Sequence, residues 1–149
     1  NEAGALLPPV VGAIAEVLAH VGTPLVGKRA VVVGNGRLVG QPAALWLTSQ
    51  GVTVSTVTKE EGDLSMLKEA DIVVSGAGSA HLIQPEHLKQ GVILIDAGTS
   101  ESSGAIAGDA DPGCAEVASV FTPVPGGVGP IAVACLMKNV VELARLRVS

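Results

Sequence analysis

The sequence predicts an α/β fold: a doubly wound, mostly parallel sheet with helices on both faces. Three observations carry that prediction. Five short strand signals alternate with helical segments between residues 30 and 122. The run over residues 30–33 (AVVV) is continuously apolar, as strands covered on both faces are. The 149 residues include one Trp, one Phe and no Tyr, so the core must be built from Val, Leu, Ile and Ala. Such a core suits thin layers of strand and small-residue helix better than an all-β sandwich.

The elements follow in order. Residues 10–21 (VVGAIAEVLAHV) read as a helix, with Val10, Ile14, Val17, Leu18 and Val21 at three- and four-residue steps. Gly22 can end it, and Pro24 soon follows. A strand over 30–33 ends at Gly34. The next helix accepts Pro42 in its first turn and stops at Gly51. Then come a strand over 52–57, a short helix over 64–70, a strand over 71–75, a short helix over 85–90 and a strand over 92–96. Residues 97–104 (AGTSESSG) read as a loop, 111–118 as a helix and 119–122 as a last short strand. The stretch TPVPGGVGP, residues 122–130, then opens a long final helix whose first turn takes Pro130. The expected organisation is one Rossmann-like domain over residues 1–149, with 1–27 as leading helix and connection.

Composition excludes several functions. The formal net charge is −5 and no basic patch is present, which argues against binding along a nucleic-acid backbone. Scarce aromatics argue against single-strand recognition by stacking. No run reaches the roughly 18 apolar residues of a membrane span, and no secretory signal is visible. Cys114 and Cys135 lie far apart without metal-ligand spacing, so no metal is expected and a reducing, cytoplasmic setting is the simplest reading. His20, His81 and His87 have no carboxylate or cysteine at a spacing that suggests a catalytic pair.

Ligands of a doubly wound sheet sit beyond the carboxyl ends of its strands. After the first strand comes Gly34-Asn35-Gly36-Arg37-Leu38-Val39-Gly40, a GxGxxxG turn between strand and helix. Bare glycine backbone can approach a pyrophosphate, and the helix amino end offers N–H groups and a positive dipole end. The plain alternative is a tight turn with no ligand. After the second strand come Thr58 and Lys59, then Glu60 and Glu61. A cation there favours the extra phosphate of NADP and a carboxylate the ribose hydroxyls of NAD, so the residues lean towards NADP with NAD possible. Gly76 and Gly78 after the third strand form either a cofactor floor or a simple turn. Asp96, at the fourth strand's end, reads as a residue that caps or orients loops.

Taken in order, these motifs resemble the cofactor-binding domain of methylenetetrahydrofolate dehydrogenase/cyclohydrolase. The stretches that match are KRAVVVGNGRLVGQPAA, ADIVVSGAGSAHLIQPEHLKQGVILIDAGT, AIAGDAD and FTPVPGGVGPIAVACLMKNVVELA. TPVPGGVGP is the specific one. The resemblance implies binding of NADP, or sometimes NAD, and oxidation of 5,10-methylenetetrahydrofolate, often followed by hydrolysis of the methenyl product. It implies cofactor contacts at Gly34, Asn35, Gly36, Lys59 and Thr99, with Pro125, Gly126 and Gly127 beside the nicotinamide and the folate cleft.

The chain departs from the family in places. Gly34-Asn35-Gly36 stands where Gly-Arg-Ser is usual, leaving Arg37 to supply the cation. Thr58 stands where His is common, Ala132 where Thr is common, and Pro9-Val10 where Thr-Pro is usual. The family's catalytic Lys, a Tyr four positions before it and a pterin-holding Asp belong to an amino-terminal domain. This chain has no Tyr, so no catalytic residue is expected on it. The expectation is therefore one half of such an enzyme, inactive alone, meeting folate together with the other half and pairing as a homodimer. The alternative is a stand-alone, non-catalytic dinucleotide-binding module.

Overall fold

A computed structural model describes residues 6–148. Five parallel strands form the central sheet: β1 (Arg29–Val33), β2 (Thr53–Val57), β3 (Ile72–Ser75), β4 (Ile93–Asp96) and, last in sequence, β7 (Val120–Thr122). Their spatial order is β2-β1-β3-β4-β7. The chain winds outward from β1 to β2, then crosses back to β3 and continues the other way. The reversal leaves a crevice between the carboxyl ends of β1 and β3, where doubly wound sheets bind ligands.

Burial explains the strand composition. All four residues of β3 and of β4 are buried, as are the last four of β1, which is why these runs are apolar apart from Ser75 and Asp96 at the ends of β3 and β4. β2 is an edge strand and its Thr53, Ser55 and Thr56 face solvent.

Helix covers both faces of the sheet, but unequally. On one face lie α1 (Pro9–Val21), α2 (Gly40–Ser49) and the start of α3 (Val128–Val148), packed through Ile14, Leu18, Ala43, Leu47 and Val128 onto Val32, Val74 and Ile95. The other face carries only 3₁₀ turns at Ser65–Glu69, Pro85–His87 and Pro112–Glu116, which bury Leu67, Leu88 and Cys114 against Val31, Val73 and Leu94. Residues 64–70, 85–90 and 111–118 thus shorten from the expected helices to single tight turns. Segments of a few residues gain too little from helix propagation to extend further.

α1 packs chiefly on α3. Gly12 marks the crossing: a Cβ there would come within 3.0 Å of Cys135 Sγ. Sandwiched between α3 and the sheet, α1 buries Val11 and Ala13 as well as Ile14 and Leu18, a broader stripe than one helical face. Gly22 ends it in the left-handed conformation at φ 75°, its N–H bonded to the Leu18 carbonyl. Residues 97–104 are not merely a loop. They contribute to an antiparallel hairpin, β5 (Ser100–Ser102) with β6 (Ala105–Ala107), turned by Ser103 and Gly104 at positive φ. No helix among the described residues is long and apolar enough to cross a membrane.

Candidate functional site

The β1 exit shows why this turn is glycine-rich. Gly34 lies at φ 106°, and a Cβ on it would stand 2.9 Å from the Gly76 carbonyl oxygen at the β3 exit. A Cβ on Gly40 would overlap the Gly34 carbonyl, and one on Gly76 would overlap the side chain of Val39. Gly34, Val39, Gly40 and Gly76 therefore form one interlocked unit that brings the two exits together. Gly36 differs: a Cβ there would meet nothing within 4 Å. It borders a cleft of about 300 Å³ lined by Gly34, Asn35, Gly36, Thr58, Lys59, Glu60, Gly76 and Ala77.

The cleft thus gathers six of the residues singled out in sequence, from three strand exits. It has a bare backbone floor and a rim of hydroxyl, cation and carboxylate. Asn35 is pinned from behind, its carbonyl accepting from Gln41 Nε2 at 3.0 Å. Arg37 is exposed on the turn and is not among the lining residues. Glu60 and Ala77 also line the cleft. Glu60, three residues beyond β2, is one of the acids the sequence read as suited to ribose hydroxyls, and Ala77, two residues beyond β3, was marked by position alone.

The remaining candidates sit further along the same edge. Gly78, at φ 69°, approaches the carbonyl of exposed Thr99, to which a Cβ would stand 3.7 Å away. The turn before α3 is bare and stiff. Gly126 lies at φ 98° with open space around it, whereas a Cβ on Gly127 would overlap the Pro123 carbonyl. Pro125 is exposed beside them and follows a cis peptide bond.

Beneath these loops lie two buried carboxylates. Asp96 accepts N–H bonds from Gly98 (3.0 Å), Asp109 (3.2 Å) and Ala110 (2.9 Å). It orients loops, as its position suggested. Burial is the main influence on its carboxyl and raises its pKa above the ordinary carboxylate value; the three N–H bonds oppose that shift and the charge of Asp109 adds to it. Asp109 accepts from Ser75 Oγ and from the N–H groups of Ala77 (2.7 Å) and Ser79 (2.9 Å). The sequence placed Asp109 only within a matching stretch. A lone Asp in a loop carries no mark of being fully buried.

The histidines stay out of the site. His20 and His81 are exposed, and His87 Nδ1 accepts from the Gln84 N–H at 2.9 Å, closing a 3₁₀ turn. Cys114 is buried and its thiol is pushed up to about 11, chiefly by burial, so it is an inert packing residue. Among the described residues no three His, Cys, Asp or Glu side chains are grouped to hold a metal.

A parallel sheet with a glycine-floored crevice at its switch point defines the class: a Rossmann-like nucleotide-binding domain. Residues 8–148 match the family model described as tetrahydrofolate dehydrogenase/cyclohydrolase, NAD(P)-binding domain. The chain belongs to that family. It is 42% identical over 131 residues to the bifunctional protein FolD of Thermomicrobium roseum, covering 87% of this chain and 46% of that one. Among solved structures, the bifunctional FolD of Campylobacter jejuni superposes with a TM-score of 0.91 at 36% identity, covering 97% of this chain and 52% of that one. The Trypanosoma brucei enzyme, complexed with NADP and an inhibitor, gives 0.89 at 35% identity, covering 95% and 52%. The chain spans about half the length of the relatives it matches.

Proposed function

We propose that this chain is the NADP-binding half of a methylenetetrahydrofolate dehydrogenase/cyclohydrolase. The observation that carries the reading is the cleft at the β1/β3 reversal, floored by Gly34, Gly36 and Gly76 and rimmed by Thr58 and Lys59. Its residues suit a dinucleotide, because Gly36 leaves open space where any side chain would intrude. When bound, the nicotinamide supplies hydride acceptance.

The chain's own residues bind and orient. Backbone at Gly34, Asn35 and Gly36, with the amino end of α2 behind it, faces the pyrophosphate. Val39 and Gly40 keep that backbone in place by their packing. Lys59, with Thr58 beside it and Arg37 nearby on the turn, meets the phosphate that distinguishes NADP. Gly76 and Gly78 let the cofactor cross the sheet edge, and Thr99 meets its nicotinamide end. Pro125, Gly126 and Gly127 form one wall for the nicotinamide and the folate.

The other wall belongs to a second domain carrying the catalytic Lys. In support, α3 bears a second apolar stripe. Its inner positions Ile131, Ala132 and Cys135 face α1 and the core, while Val133, Leu136, Met137, Val140 and Leu143 recur at helical spacing and are about half or more exposed. The second domain packs on that stripe. The assembly is a cytoplasmic homodimer, in keeping with the family resemblance and two free cysteines.

Calorimetric titration of the chain with NADP and with NAD tests the reading. NADP is expected to bind more tightly. Tighter NAD binding would assign the rim to Glu60, a carboxylate suited to ribose hydroxyls, and no heat with either at millimolar concentration would refute the reading. The chain alone is expected to show no methylenetetrahydrofolate dehydrogenase turnover. Cofactor-dependent turnover by the purified chain would place the catalytic groups here.

A further inference from the structure

Asp109 is fully buried and takes part in none of the ion pairs found among the described residues. A carboxylate held there without a cation is costly, and packing alone would be served as well by an apolar residue. What a carboxylate offers instead is several acceptor positions in a fixed plane.

Its donors run from the last residue of β3 into the loop that follows. Oδ2 accepts from Ser75 Oγ and from the Ala77 N–H, and Oδ1 from the Ser79 N–H. That loop carries Gly76 and Gly78, and Ala77 lines the cleft while its N–H turns inward, away from it. Asp109 is in turn held by Asp96, through its own N–H and that of Ala110. Asp96 also accepts from Gly98 and donates its N–H to Thr122 Oγ1 at the end of β7.

Glycines make room for this chain of bonds. A Cβ on Gly98 would overlap the Asp109 carboxyl; one on Gly108 would overlap the Asp96 carboxyl and come within 3.0 Å of Val124 Cβ. The connection therefore runs unbroken from Ser75, under Gly78 and the loop of Thr99, to the turn that carries Pro125.

We propose that Asp109 is the positioning residue of the cofactor site, holding the β3 exit against the β4 and β7 exits so that the nicotinamide-side wall is formed before the cofactor arrives. The proposal rests on the dinucleotide reading above. A preformed wall removes an ordering cost from binding, and most of the benefit falls on the half of the cofactor that crosses Gly78 and Thr99.

The test compares NADP with 2′,5′-ADP, which lacks the nicotinamide end, by calorimetry on the wild-type chain and on Asp109→Asn, Ser75→Ala and Val73→Ala. Asparagine keeps one acceptor oxygen but turns an NH₂ group towards a donor. D109N is expected to lose about tenfold in NADP affinity and less than threefold in 2′,5′-ADP affinity. S75A is expected to shift the ratio of the two affinities in the same direction by about threefold. V73A, which thins the core under the same strand, lowers the thermal midpoint and leaves the ratio unchanged.

Equal losses for both probes in D109N, or wild-type affinities for both, overturn the proposal. Should D109N fail to fold, S75A decides, and an unchanged ratio there overturns it. A wild-type chain that binds neither probe overturns the dinucleotide reading and takes this proposal with it; one that binds both while the variants keep its ratio overturns the role of Asp109 alone.

Discussion

The parallel sheet has aspartates at both of its edges, and they do opposite work. At the carboxyl edge Asp96 and Asp109 are buried and bonded to backbone N–H groups of three loop segments. At the amino edge Asp71 sits near the surface, where it accepts from Lys89 Nζ and from the Arg29 N–H. Particular glycines sharpen the contrast, although Gly36 and Gly126 at the carboxyl edge stand open. At the carboxyl edge Gly40, Gly76 and Gly98 leave no room for a Cβ; at the amino edge Gly91 has open space around it. One edge is shaped and tied together by bonds within the chain, and the other is a solvated surface that only has to turn the chain around.

The sharpest way to break this contrast is to add one methyl group at each edge. Gly40→Ala sets a Cβ into the Gly34 carbonyl, backbone against backbone, and neither side can yield cheaply. It is expected to cost about 3 kcal/mol or more in urea unfolding and to abolish NADP binding. Gly91→Ala meets no atom and has only its φ of 84° to sustain, so about 1 kcal/mol is expected and cofactor affinity is unchanged. Similar costs at the two positions would mean that the carboxyl edge is no more constrained than an ordinary turn.

Much of this edge was legible in the sequence, and the reasons are physical. Gly34, Gly36 and Gly40 follow a β-branched run and precede a helix, so strand, turn and helix signals agree locally. Gly76 could be placed because it follows a buried apolar run, and Thr58 and Lys59 because they follow a strand rich in β-branched residues, TVSTV. The hairpin β5–β6 could not, since Ser100–Ser102 and Ala105–Ala107 contain one large apolar residue between them, Ile106, and it is exposed. Asp109 escaped for a different reason. Its burial depends on Gly98, eleven residues earlier, and on Ser75, thirty-four residues earlier, and no local pattern reports such a distant fit. The second stripe of α3 was hidden by the first, because an apolar helix reads the same whether one face is covered or two.

Intermediate in size is the effect of Asp96→Asn. The variant keeps the shape of the side chain but offers an NH₂ group to N–H donors, and a loss of about 2 kcal/mol is expected at acid pH. The sign of the pH dependence is the stronger test. Burial raises the folded pKa of Asp96 above its unfolded value of 3.8, so its favourable contribution is full below that value and is lost as pH rises through the folded one. The stability gap between wild type and D96N should therefore narrow from pH 4 towards pH 7. Urea unfolding across that range checks it, and a gap that widens would mean the carboxylate is stabilised by its N–H donors more than it is harmed by burial.

Lys89→Met at the amino edge should give the smallest effect and the opposite sign. The bond from Lys89 is the main cause of a lowered Asp71 pKa, and the Arg29 N–H adds to it. A folded pKa below 3.8 means that the pair's contribution is present above that value and is lost as pH falls through the folded one. Both side chains are partly exposed, at 47% for Lys89 and 30% for Asp71, so water screens the pair and about 0.5 kcal/mol is expected at pH 7. The difference between wild type and K89M should shrink as pH falls below about 4 and be weakened by salt at neutral pH. If K89M instead cost as much as D96N and resisted salt, the amino edge would be an organised site in its own right, and the division of labour between the two edges of the sheet would fail.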